Sequence, residues 1–149
     1  PMARIAFAGG DVGPDVERFA ADTAAALRAS AAIPLEHGKR LARTYGTRID
    51  EVESLLGSEP ALLARLCPSH PHLAIEAAYA VTSEMAITLA DVLFRRTRVA
   101  FGACRGIDCA DAFAAAMAPF AGWSKARRQQ EVEAYLEEAA RLTLPRADG

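Results

Sequence analysis

Glu84, Asp91, Arg95 and Arg96 stand in a run of otherwise apolar and small residues, EAAYAVTSEMAITLADVLFRRTRVAF over residues 76–101. A carboxylate and a guanidinium held together away from water keep each other charged and shift each other's titration, which is how many active sites are built. The same pair can instead be an internal ion pair that fixes the angle between two helices. Thr88 with Asp91 three residues on has the form of a capping box opening a new helical turn. From there Leu89, Val92, Leu93 and Arg96 fall on one helical face, and Asp91, Arg95 and Arg98 on another. Arg96 thus points with the leucines and needs a partner, because a buried guanidinium without one costs several kcal/mol. Glu84, which shares its face with Leu73, Ala77 and Ala80, is the nearest carboxylate in the same situation. The structural reading is preferred: Glu84, Asp91, Arg95 and Arg96 form a structural polar cluster, and no residue of the chain is assigned a catalytic, cofactor-binding or metal-binding role.

Four further patterns invite chemistry. Cys67, His70 and His72 could ligate zinc, but a fourth ligand is missing and Pro68 and Pro71 make the stretch a rigid connector, so a loop is preferred. Cys104 and Cys109 have no acidic or His companion to tune a thiolate, which argues against a redox pair. Gly9-Gly10 lacks the spacing and the strand–helix setting of a dinucleotide-binding loop. Ala42, Gly46 and Val52 match the corner of a DNA-binding helix-turn-helix. The second helix would then present Asp50, Glu51 and Glu53 to phosphates with only Arg48 to offset them, so an ordinary tight corner is preferred and no nucleic-acid partner is expected.

The elements that must position these residues are helical. The chain has 149 residues, 52% of them hydrophobic and 24% charged, enough for an ordinary core and too apolar for disorder. Alanine is abundant while β-branched and aromatic residues are modest, which favours helix over sheet. A net charge of −2 with pI near 5.9 leaves no electrostatic footprint for nucleic acid or an anionic membrane. No apolar run approaches a membrane span and no signal peptide is recognisable, so the expected location is cytoplasmic. An odd number of cysteines, three, reads as free thiols in a reducing compartment. Pro1 preceding Met2 suggests an excised piece of a longer chain.

In order, residues 1–13 read as an extended lead-in. Pro14 and Asp15 open a first helix with Val16, Phe19, Ala20, Thr23, Ala24 and Leu27 inside. Pro34 starts a second helix through Tyr45 that Gly46 ends. Thr47 and Asp50 have the spacing of a capping box for a third, running through Leu56 to Gly57. Ser58 and Pro60 open a short helix with Leu62, Leu63 and Leu66. Pro71 is expected in the first turn of the helix bearing Tyr79 and Glu84. Asp108 can cap a helix with Phe113, Met117 and Phe120, whose end Pro119 weakens. Gly122-Trp123-Ser124 closes that helix and caps the last one. There Val132, Tyr135, Leu136, Ala139 and Leu142 form the inner stripe, with Arg127, Glu131, Glu133 and Glu138 elsewhere. Trp123 is expected as a core anchor. The fold class is all-α, a single compact bundle of about six short helices with no sheet.

Residues Glu76, Tyr79, Ala80, Val81, Glu84, Met85, Ala86, Thr88, Leu89, Asp91, Val92, Leu93, Arg95, Arg96, Thr97 and Arg98 make a pattern that resembles the C-terminal helical domain of FAD-dependent glycerol-3-phosphate dehydrogenases and oxidases. The Leu41, Tyr45, Gly46 corner and the Gly122–Tyr135 tail are similar to the same domain. The resemblance covers almost the whole chain, 1–149, with 1–13 leading in from a flavin domain outside it. It implies a parent enzyme that oxidises sn-glycerol 3-phosphate to dihydroxyacetone phosphate and passes electrons to a quinone or to oxygen. FAD and substrate then belong to the preceding domain, so this chain carries no cofactor and is inert alone. Its expected partner is the FAD-binding domain of the same polypeptide, on which it packs as a cap, or another subunit. A homo-oligomer stays open, as does membrane association through the parent. A free-standing helical interaction module is the alternative, ahead of a DNA-binding regulator.

Overall fold

The computed structural model describes residues 9–57 and 59–142; most of the lead-in, 1–8, lies outside them, as does Ser58. Among the described residues there are six α-helices and one two-stranded hairpin, so the all-α expectation holds with a short sheet added. The helices gather into two compact units that divide after Pro60.

The first unit holds α1 (Val16–Ala31), α2 (Leu35–Tyr45) and α3 (Ile49–Ser54). Asp15 caps α1, its side chain accepting from the Arg18 N–H at 2.9 Å. Ala20, Ala24 and Leu27 turn inward at helical spacing, whereas Val16 is exposed. The small residues matter because a Cβ on Gly38 of α2 would lie 3.0 Å from the Ala24 Cα, so the two helices approach almost backbone to backbone. Pro34 stands as the N-cap of α2 and Gly46 ends it at φ +54°, as the sequence predicts. A Cβ at Gly46 would sit 1.7 Å from the Gly9 carbonyl oxygen, which accepts from the Thr47 N–H at 3.2 Å. No side chain larger than hydrogen fits there. The expected Thr47–Asp50 capping box is not formed: a 3₁₀ turn, Gly46–Arg48, runs directly into α3, which has no side-chain cap. α3 ends at Ser54, short of Leu56, and Arg48 turns back to Glu51 at 3.1 Å.

A 3₁₀ turn, Pro60–Leu63, leads into the second unit, which continues with β1 (Arg65–Cys67) and β2 (His70–Leu73), paired antiparallel. The sequence reading of 67–72 as a loop is therefore corrected. Pro68 lies in the turn between the strands, and Pro71 is tolerated in β2 because an edge strand needs no donor on its outer side. Pro71 lies in β2, and α4 (Ala74–Thr82) starts three residues later with Leu73 as N-cap. Its residues from Ala74 to Ala80 are all buried, the mark of a helix at the centre of a core. Glu84 lies beyond its end.

α5 (Ala110–Ala121) packs on α4 through Phe113, Ala114 and Met117, and α6 (Lys125–Arg141) packs on α5. A 3₁₀ turn, Ile107–Cys109, precedes α5, so Asp108 is not its cap; Cys109 occupies that position. Pro119 falls in the last turn and Gly122 ends the helix at φ +64°. Ser124 caps α6, accepting from the Arg127 N–H at 3.1 Å. Val132, Tyr135 and Ala139 are buried as predicted, but Leu136 and Leu142 are exposed and Trp123 is only half-buried.

Candidate functional site

The stretch after α4 is held by the predicted capping box. The Asp91 N–H donates to the Thr88 hydroxyl at 3.1 Å, and the Ile87 and Thr88 N–H groups donate to Asp91 Oδ2 at 3.1 and 3.0 Å. Arg95 pairs with the same carboxylate. Burial pushes the Asp91 carboxyl up, but the two backbone N–H groups, the Thr88 hydroxyl and Arg95 together outweigh it and hold it below its ordinary value.

Residues Asp91–Arg96 form a π-helical turn, closed by the Thr97 N–H donating to the Val92 carbonyl at 2.9 Å. This corrects the burial expected for Arg96. A π turn spends one more residue per turn than an α-helix, so each residue rotates less. Leu89, Val92 and Leu93 stay fully buried while Arg96 swings off their face and is 38% exposed. It still meets Glu84, with Nε 3.8 Å from Oε2 and Nη2 donating to the Glu84 carbonyl oxygen at 2.6 Å. The pair exists, but at the edge of solvent.

The buried carboxylates are elsewhere. Glu76, 2% exposed, accepts the Leu73 N–H on Oε2 at 2.8 Å and meets His72 Nδ1 at 3.0 Å through Oε1. Glu131, 7% exposed, accepts the Leu89 N–H on Oε2 at 2.9 Å and pairs with Arg127 at 2.5 Å. Each closes the open N–H groups at the start of a helical segment and thereby fixes a joint in the chain. The sequence reading placed Glu131 outside the inner stripe. Its spacing of four from Tyr135, itself four from Ala139, was the available signal.

A third constellation joins residues that lie far apart in sequence. Cys67 Sγ and Cys104 Sγ are 3.7 Å apart, and Cys67, His70 and Cys104 offer ligand atoms all within 4.8 Å of one another. His72, expected beside Cys67 and His70, is instead held by Glu76, and Cys104 takes its place. Cys67 and His70 are cross-strand partners in the hairpin. Arg65 ties the hairpin's carbonyls: Nε donates to Cys67 O at 2.9 Å and His70 O at 3.0 Å, and Nη2 to Pro68 O at 2.9 Å. The Cys104 loop is anchored by the Tyr135 hydroxyl, which donates to Arg105 O at 2.5 Å. All three cysteines are unbridged. Burial pushes the Cys104 and Cys109 thiols up, helped by the neighbouring Cys67 thiol, and likewise raises the Tyr135 hydroxyl.

Among the described residues, no helix is long and apolar enough to cross a membrane. Residues 3–128 match the family described as the C-terminal domain of alpha-glycerophosphate oxidase. The chain is similar to glycerol-3-phosphate dehydrogenase 2 of Mycobacterium tuberculosis, 36% identical over 110 residues that make up 73% of this chain and 19% of the relative. It is also similar to the glycerol-3-phosphate dehydrogenase of Mycobacterium leprae, 38% identical over 98 residues, 65% of this chain and 17% of the relative. A Synechocystis glycerol-3-phosphate dehydrogenase is 29% identical over 108 residues, covering 68% of this chain and 18% of its own length. The chain thus spans about a fifth of the length of the curated relatives it matches. The densest run of the resemblance, Glu76 to Arg98, folds here into a buried helix, a capped joint and a π turn, and the match over residues 3–128 takes in all of it: the chain belongs to the family of C-terminal domains of alpha-glycerophosphate oxidase.

Proposed function

We propose that this chain is the non-catalytic C-terminal helical domain of an FAD-dependent glycerol-3-phosphate dehydrogenase and packs on the flavin domain of the same polypeptide. The parent enzyme oxidises sn-glycerol 3-phosphate to dihydroxyacetone phosphate, with flavin and substrate held by the preceding domain. The match over residues 3–128 carries the family reading. The docking reading rests on the joint between α4 and the π turn, where Met85 is 83% and Ile87 70% exposed while Ala86 between them is buried. Exposed apolar side chains on a joint stiffened by Asp91 suit a surface that another domain covers.

Hydrogen exchange tests this on the full-length dehydrogenase and on the isolated chain. Amides of residues 84–88 are expected to exchange more slowly in the full-length enzyme, and Met85→Asp with Ile87→Asp should abolish that difference. Equal exchange in both proteins would rule out this face as the docking surface.

A further inference from the structure

We propose that Cys67, His70 and Cys104 form a zinc site, three protein ligands with the fourth position open to water or to an incoming ligand. Zinc–sulfur bonds of about 2.3 Å in a tetrahedron place two thiolates about 3.8 Å apart. The two sulfurs already stand 3.7 Å apart, and a ring nitrogen of His70 lies within 4.8 Å of both. The spacing alone would also suit two thiols in contact, so the histidine decides. His70 Nε2 is buried with no hydrogen-bond partner among the described residues. A buried nitrogen without a protein partner is open to an ion or a water, and the ring that carries it stands beside two thiols.

The surrounding backbone is shaped to the same end. A Cβ at Gly102 would stand 2.2 Å from His70 Cε1 and 2.4 Å from Nε2, so only glycine lets the imidazole lie where it does. Cys67 and His70 are opposed across the hairpin, and Arg65 locks the turn that joins them. The Tyr135 hydroxyl holds the loop that brings Cys104 to the pair. Ligands fixed in advance cost little ordering on binding, which is what separates a site from a chance meeting of side chains. The donor set is two sulfurs and one imidazole nitrogen with no carboxylate, which selects zinc over magnesium or calcium. Binding displaces two thiol protons to solvent and leaves two thiolates on a doubly charged cation, with no change of oxidation state. Cys109, whose thiol turns to the Gly106 carbonyl oxygen at 3.6 Å, neighbours the two sulfurs but lies outside the set of three.

The test uses the 149-residue chain, reduced and stripped with a chelator, then titrated with cobalt(II) as a spectroscopic stand-in and with zinc(II) by calorimetry. The expected result is one ion per chain, with thiolate-to-cobalt charge-transfer absorption and the visible bands of a tetrahedral ion. Cys67→Ser, His70→Ala and Cys104→Ser should each weaken binding by more than the 10–100-fold typical of losing an outer partner, roughly 100-fold or beyond. Alkylation of the native chain supplies a readout that needs no variant: zinc should protect Cys104, the ligand thiol that is not fully buried. No stoichiometric uptake, uptake undiminished in the Cys67→Ser, Cys104→Ser double variant, or zinc without effect on alkylation of Cys104 would each overturn the site.

Discussion

Glu131 and Glu84 show how differently two carboxylates of one unit can matter. Glu131 is the acceptor for the Leu89 N–H, which is buried with it. Glu131→Ala leaves that N–H without a partner and is expected to cost about 1–3 kcal/mol in urea unfolding followed by circular dichroism. The Glu84–Arg96 pair is half-exposed, so a double-mutant cycle with Glu84→Gln and Arg96→Met should give a coupling of at most about 1 kcal/mol. A coupling several times larger would mean that the joint is covered in solution. Asp91 carries a pH dependence whose sign is fixed by its partners. Its carboxyl is held below its ordinary value in the folded chain, so it stabilises at pH above the unfolded value of about 3.9 and loses that contribution as pH falls through the folded value. Asp91→Asn should lower stability near neutrality by about 0.5–2 kcal/mol, the worth of a helix cap, and flatten the acid limb of the stability profile.

At the scale of elements, the corner between α2 and α3 is the most constrained. Gly46 combines a positive φ with a Cβ position occupied by the Gly9 carbonyl oxygen, so Gly46→Ala should destabilise by about 2 kcal/mol or more. A thermal melt unchanged by that substitution would contradict the close approach. Helix stops and several caps were legible in the sequence because they are local: Pro34, Gly46, Thr88 with Asp91, Gly122 and Ser124 all act within a few residues, whereas the caps expected from Thr47 and Asp108 did not form because 3₁₀ turns run into those helices. The hairpin was not, since Pro68 and Pro71 signal a break in a helix and an edge strand alike. The π turn was hidden for another reason. One extra residue per turn leaves no mark on composition, yet it moved Arg96 from the leucine face to the surface. The thiol–imidazole cluster was half legible, because Cys67 and His70 are neighbours in sequence while Cys104 arrives only through the tertiary fold.

For the whole molecule, assignment as a C-terminal domain predicts a protein without colour. The isolated chain, purified after expression with excess flavin, should show no flavin absorbance, and a yellow product would contradict the proposed division of labour. The division into two units after Pro60 also shapes what can be observed. The chain has a single tryptophan, Trp123, half-buried where α5 gives way to α6. Its fluorescence therefore reports from the second unit, while circular dichroism reads the helices of both. Melting curves from fluorescence and from circular dichroism will coincide if the units unfold together and separate if they do not. One indole thus turns a comparison of two ordinary spectra into a measurement of how cooperative the chain is.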